Sequence, residues 1–179
     1  ESEPVPRGWQ LAGERFREGS VYLQTETGER RGTGSYYTPD EIVHYIVDET
    51  IGPLCRQVSD DLAHEIREVE SQLRAAKGKR KKELAARLET LGSDFDDRIL
   101  RLKILDPAMG SGHFLIRACQ MLAEEIATHP FTGDETMSGI REDESAVSYW
   151  KRRVVETCLY GVDVNYLAVE LAKLTLWLE

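Results

Sequence analysis

Leu102-Lys103-Ile104-Leu105-Asp106-Pro107-Ala108-Met109-Gly110-Ser111-Gly112-His113-Phe114-Leu115-Ile116-Arg117-Ala118 is the run whose reading decides the fold. It reads as a strand, a tight turn and the first turns of a helix. The apolar residues before Asp106 predict a buried strand. Asp106 and Pro107 end it, because proline cannot donate to a ladder and favours a turn. Gly110 and Gly112 let the backbone bend sharply and leave room for a ligand against it. Ser111 is placed to cap the next helix, whose free N–H groups then face whatever lies above the strand. A strand–turn–helix unit of this kind predicts an α/β protein. The run is not a phosphate-binding P-loop, since no Gly-Lys-Ser/Thr closes it, and it lacks the third glycine of the dinucleotide fingerprint. On its own, a short Gly-x-Gly is equally at home in a plain strand-to-helix turn.

The 179 residues suffice for one domain with a proper core. Net charge is -9, from 23 basic and 32 acidic residues. A stand-alone nucleic-acid binder is expected to carry a basic footprint, so such a role needs segregated charge or another domain. Cys55, Cys119 and Cys158 are odd in number and widely spaced. They predict small buried hydrophobes in a reducing, cytoplasmic compartment, with neither a disulfide framework nor a metal cluster. No run is long and apolar enough to predict a transmembrane helix or a signal peptide. Glu1 and the helical pattern that runs to Glu179 both read as cut ends.

Residues 1–35 are polar and rich in glycine and proline. Trp9, Leu11 and Phe16 suggest a short helix there, and Val21 to Leu23 a short extended piece. In Ser35-Tyr36-Tyr37-Thr38-Pro39-Asp40-Glu41, Thr38 is expected at the N-cap, Pro39 at N1 and Glu41 at N3, which makes a capping box. The helix should run to about Ile51, where Gly52-Pro53 ends or kinks it. Ile42, Tyr45 and Ile46 set its apolar face, widened by Val43 and Val47.

Leu62, Ile66, Val69, Leu73 and Ala76 repeat at helical spacing, as do Leu84, Leu88 and Leu91. Two antiparallel helices with a basic tip near Gly78 are expected over residues 58–97, with one long helix as the alternative. The tip is either a solvated turn, the commoner case, or a phosphate contact made by Lys79, Arg80, Lys81 and Lys82. Asp94, Asp96 and Asp97 return the chain to the strand.

After the glycine turn, helix 112–127 should face the sheet with Phe114, Leu115, Ala118, Cys119, Leu122 and Ile126. His113 reads as a local packing or polar surface residue. Residues 129–144 read as a loop. Ser145 to Cys158 reads as a helix burying Val147, Trp150, Val154 and Cys158, with Trp150 a core residue rather than a base-stacking platform. Leu159 to Asp163 is a second strand, and Asn165 can cap helix 166–178. Asp163 at the strand tip either closes the strand or accepts both hydroxyls of a ribose. It stands 57 residues after Asp106, against roughly 20 in a nicotinamide fold.

Asp106-Pro107-Ala108-Met109-Gly110-Ser111-Gly112-His113-Phe114-Leu115 resembles the S-adenosylmethionine-binding motif of N6-adenine DNA methyltransferases of restriction-modification and phage-defence systems. Met109 stands where that family usually has Cys or Ala. Gly34-Ser35-Tyr36-Tyr37-Thr38-Pro39 resembles the family's preceding motif. Gly161-Val162-Asp163-Val164-Asn165-Tyr166 resembles the next one, with Tyr166 where Pro is common.

The resemblance implies an incomplete Rossmann-like S-adenosylmethionine-dependent methyltransferase fold. It has an N-terminal helical region at 1–57, a charged helical hairpin insertion at 58–97 and the first part of the methyltransferase domain at 98–179. The implied cofactor is S-adenosyl-L-methionine, and no metal is implied. Its implied contacts are Tyr37, Thr38, Pro39, Asp106, Pro107, Ala108, Gly110, Ser111, Gly112, Phe114, Asp163 and Val164. Tyr37, Thr38 and Pro39 would cover the methionine end, where an aromatic ring can lie over the sulfonium. Asp163 would bind the ribose.

The implied reaction is attack of the adenine N6 amino nitrogen on the sulfonium methyl, in DNA bound by the intact parent protein. The family's Asn/Asp-Pro-Pro-Tyr/Phe run, which holds the flipped adenine, is absent, since Asp106-Pro107 belongs to the cofactor turn. No catalytic residue is therefore assigned, and the fragment alone is expected to be inactive. Exposed sheet edges and apolar helix faces predict self-association. Two alternatives compete: a DNA-binding or assembly module of a defence system, and another nucleotide-cofactor enzyme such as a nicotinamide dehydrogenase. The glycine pattern and the position of Asp163 argue against the latter.

Overall fold

The computed structural model of the chain describes residues 38–133 and 145–179. Tyr37, the expected elements of residues 1–35 and most of the 129–144 loop lie outside the described residues.

The first helix, α1, spans Asp40–Thr50. The expected capping box does not form. Pro39 is extended, with ψ 144°, and it is the N-cap, with no side-chain cap. Its carbonyl accepts from Ile42 N (3.0 Å) and Val43 N (3.1 Å), so the helix starts one residue later than Thr38 would set it. The buried face also differs from the expected one. Val43 and Val47 are buried, while Ile42, Tyr45 and Ile46 are exposed.

Helix α1 ends at Thr50, just before Gly52-Pro53, as expected. Ile51 keeps helical angles, and α2 (Gly52–Ala75) begins at once with proline in its first turn, where a missing N–H costs nothing. Helix α3 (Gly78–Leu91) folds back on α2 across Ala76 and Lys77, both extended. The break gives a hairpin instead of one long helix. Leu62 and Val69 of α2 and Leu84 and Leu91 of α3 form its buried seam.

A short helix, α4 (Phe95–Leu100), stands where only an acidic return was expected. Phe95 and Ile99 are fully buried. Arg98 grips Glu65 of α2 with two hydrogen bonds, at 2.7 and 3.1 Å, and Asp94 with a third at 2.7 Å. The chain then enters β1 (Ile104–Asp106), the glycine turn and α5 (His113–Thr128). Helix α6 (Ala146–Thr157), β2 (Leu159–Gly161) and α7 (Tyr166–Leu178) complete the order. Ser145 Oγ caps α6, and Asn165 Oδ1 caps α7 by accepting from Leu167 N and Ala168 N.

β1 and β2 pair in parallel, with Ile104 opposite Leu159, Leu105 opposite Tyr160 and Asp106 opposite Gly161. Helices on a two-stranded parallel sheet make this a helix-rich α/β fold. The expectation of a buried first strand fails at Leu105, which is 60% exposed. A strand is buried only where elements cover both its faces, and none of the described elements covers this one. One core runs through α1 to α6, with Phe95, Leu122, Ile126 and Trp150 fully enclosed. A smaller cluster joins Met109, Leu115 and Ala172 under the turn. Among the described residues no helix is long and apolar enough to cross a membrane.

Candidate functional site

The turn after β1 is stitched together by backbone bonds and two carboxylates. Asp106 Oδ1 accepts from Ala108 N at 3.1 Å, closing an Asx turn at the strand end. Val162 N donates to Asp106 O, and Met109 N to Val162 O, both at 2.9 Å. The continuation of β2 thus tracks the turn. Gly110 (φ 54°) and Gly112 (φ 86°) take left-handed backbone angles, where a side chain would be strained.

The expected Ser111 cap is replaced. Gly112 is itself the N-cap of α5, and no side chain caps that end. The left-handed bend comes after Ser111, so the helix begins one residue beyond a serine cap's reach.

Asp163 meets the turn directly. Its Oδ2 accepts from Gly110 N at 2.8 Å, across 53 residues of sequence. Its Oδ1 accepts from Asn165 N at 2.7 Å. Each oxygen thus spends one acceptor site on backbone, and a carboxylate has about four in all. The group can hold the turn in shape and still receive hydroxyl donors. A Cβ built on Gly110 meets nothing within 4 Å, so the turn faces open space, whereas one on Gly112 stands 3.0 Å from Ala172 Cβ. The bend is open and glycine-lined, and it lies beside a half-buried carboxylate.

Around this centre, Pro107 and Ala108 are exposed, Ser111 and Phe114 are half-buried, and Val164 is 92% exposed. Thr38 is half-buried and Pro39 exposed at the start of α1. A largely apolar groove of about 400 Å³ runs beside β1, lined by Ile46, Thr50, Leu105, Asp106, Pro107 and Phe114. Gly110, Gly112 and Asp163 do not line it. The structure therefore joins Asp106, Gly110 and Asp163 in one hydrogen-bonded unit, and sets Pro107 and Phe114 on the adjoining groove. Val164 is 92% exposed and does not line the groove.

His113, read from the sequence as a local packing or polar surface residue, makes a contact across the fold. Its Nε2 lies 2.8 Å from Asp40 Oδ1, linking the first residue of α5 to the first residue of α1. Arg117, one turn along α5, lies 2.9 Å from Asp48 Oδ1. The partners are distant in sequence, and only the packing of α1 on α5 brings them together.

Lys79, Arg80, Lys81 and Lys82 stand exposed at the start of α3, where Lys79 and Arg80 reach Glu83 at 4.0 and 3.5 Å. Cys55, Cys119 and Cys158 are all buried and free. Burial pushes the Cys55 thiol up to about 11 and Cys119 to about 12, which suppresses the reactive thiolate. Among the described residues no group of three or more His, Cys, Asp or Glu side chains is placed to hold a metal ion.

Comparison with known proteins gives two matches. The family model "MmeI, DNA-methyltransferase domain" matches residues 75–179. A protein of Methanocaldococcus jannaschii named as a type II restriction enzyme and methyltransferase is 33% identical over 160 residues. The match covers 88% of this chain and 13% of that relative's length. No solved structure matches the chain.

Proposed function

This chain belongs to the MmeI DNA-methyltransferase domain family, and on that premise we propose that it is the S-adenosylmethionine-binding part of an enzyme that methylates adenine N6 in DNA. The observation that carries the proposal is the 2.8 Å hydrogen bond from Gly110 N to Asp163 Oδ2. It unites the glycine turn and the strand-tip acid, the two features a nucleoside cofactor needs at one place. The cofactor supplies a methyl group on a positively charged sulfur. Asp163 accepts the ribose hydroxyls, the bend at Gly110 admits the cofactor against bare backbone, and Asp106, Pro107 and Phe114 border its path. Ala108, Ser111, Gly112 and Val164 complete that side, and Tyr37, Thr38 and Pro39 cover the methionine end.

The two-stranded sheet serves as the start of a Rossmann-like sheet, entered after α1, the α2–α3 hairpin and α4. The Asn/Asp-Pro-Pro-Tyr/Phe run is absent from the sequence, so the chain alone binds cofactor and transfers no methyl group. DNA is met by the intact enzyme, with Lys79, Arg80, Lys81 and Lys82 as phosphate contacts.

Calorimetry of this chain with S-adenosylmethionine, S-adenosylhomocysteine and NAD tests the cofactor. Binding of the first two and not the third is expected, with Asp163→Asn weakening both by about tenfold. Binding of NAD alone, or of none, rejects the proposal. In the intact enzyme, mass analysis of digested DNA should show N6-methyladenine. Replacing the four basic residues by Ala should flatten the salt dependence of DNA binding.

A further inference from the structure

Helices α1 and α5 are joined by two polar rungs, Asp40–His113 at 2.8 Å and Asp48–Arg117 at 2.9 Å. We propose that these rungs are positioning elements, holding the Thr38–Pro39 segment over the glycine turn and thereby setting affinity for the amino-acid end of the cofactor. This rests on the cofactor reading above.

Three observations support it. His113 directly follows Gly112, the left-handed hinge of the turn. Its position is therefore the position of the turn. Asp40 directly follows Pro39, so the first rung ties the two segments within one residue of each. The first buried residue of α1 is Val43, so apolar packing fixes the helix only beyond the segment that matters.

The second rung fixes the helix pair further along. Arg117 has a side chain only 19% exposed, and its Nε is buried without a hydrogen-bond partner. A guanidinium so enclosed depends on its counter-ion. Arg56, Glu124 and Glu125 border the same polar cleft, so the local charge is mixed, and Asp48 is the carboxylate within bonding distance. Along α1 the rungs are eight residues apart and along α5 four, so the second rung adds a charged tie to the apolar packing of Val43 and Val47.

The test uses two ligands that differ at the relevant end. S-adenosylmethionine carries the amino-acid group, and 5′-methylthioadenosine lacks it. Calorimetric affinities for both are measured on the full chain and on Asp40→Asn, His113→Gln, Asp48→Asn and Arg117→Gln, with thermal melting to verify folding. Each variant is expected to lose about tenfold in S-adenosylmethionine affinity, the size of one lost hydrogen bond to a charged group, with 5′-methylthioadenosine affinity unchanged. The exchange Asp48→Arg with Arg117→Asp should restore most of the loss.

Equal losses for both ligands would mean general loosening of the fold and would overturn the inference. So would unchanged affinity for both. If Arg117→Gln does not fold, Asp40→Asn and His113→Gln decide, since Asp40 is 66% exposed. A parent chain that binds neither ligand rejects the cofactor reading itself, a different failure from variants that match the parent.

Discussion

A Cβ on Gly161 would collide with Sδ of Met109 and stand 2.9 Å from Cδ1 of Leu115. The second strand therefore has no room for a side chain beside the turn. Met109, 9% exposed, fills that space and packs with Leu115 and Ala172. It packs rather than reacts. Gly161→Ala should cost about 1–3 kcal/mol by overpacking, and Met109→Ala about 2 kcal/mol or more by leaving a void. Combined, they should cost clearly less than the sum, because one supplies the volume that the other needs. Urea unfolding of the four chains measures this coupling, and simple additivity would show the clash relaxing elsewhere.

His129 is a second residue with a measurable signature. Its ring stacks on Phe95, with centroids 3.5 Å apart, and meets Ser59 Oγ at 2.9 Å. Burial holds it below the usual 6.5, so folding favours the neutral ring. That contribution is complete above 6.5 and is lost as pH falls below it. Asp96 acts in another window. Burial raises it above the usual 3.8, so its cost is absent in strong acid and grows as pH climbs through the carboxylate range. From about pH 7.5 to about pH 5.5, comparison with His129→Gln separates the histidine effect from that of Asp96. Urea midpoints should fall across that interval, and His129→Gln should flatten the fall.

At the scale of elements, α5 and α6 were legible because each buries one stripe at helical spacing. Leu115, Ala118, Cys119, Leu122 and Ile126 are buried on α5, and Trp150 and Val154 on α6. The face of α1 was not legible, since Ile42 and Ile46 are as apolar as Val43 and Val47 and only tertiary packing chooses between the stripes. Helix α4 escaped because six residues with two acids in the first turn read as loop. At the candidate site, Asp106, Gly110 and Asp163 were marked by residue type and strand position, whereas His113–Asp40 depends on two helices meeting.

Arg98 gives α4 its anchor. Its guanidinium is held well above the usual arginine value, chiefly by the Glu65 hydrogen bonds. Arg98→Ala should cost roughly 2 kcal/mol in urea unfolding. Arg98→Lys should recover only part, because a lysine cannot reproduce the forked contact. Full recovery by lysine would mean that charge alone matters.

At the scale of the whole molecule, α7 carries several large exposed apolar side chains. α7 buries only Ala172, while Tyr166 (75% exposed), Trp177 (80%) and Leu178 (69%) are exposed. Monomeric proteins rarely leave contiguous apolar patches beyond a few hundred Å² uncovered, so a second copy is expected to cover this one in dilute solution. The net charge of -9 opposes that pairing through repulsion, which salt screens. Association should therefore strengthen as salt is added, the reverse of phosphate binding by the hairpin tip, which salt weakens. Sedimentation velocity at rising salt should show an increasing average mass, and Trp177→Glu with Leu178→Glu should return the chain to a monomer. If the doubly substituted chain still associates, the contact lies elsewhere, and the exposed edge of β1 beside Leu105 becomes the surface to substitute next.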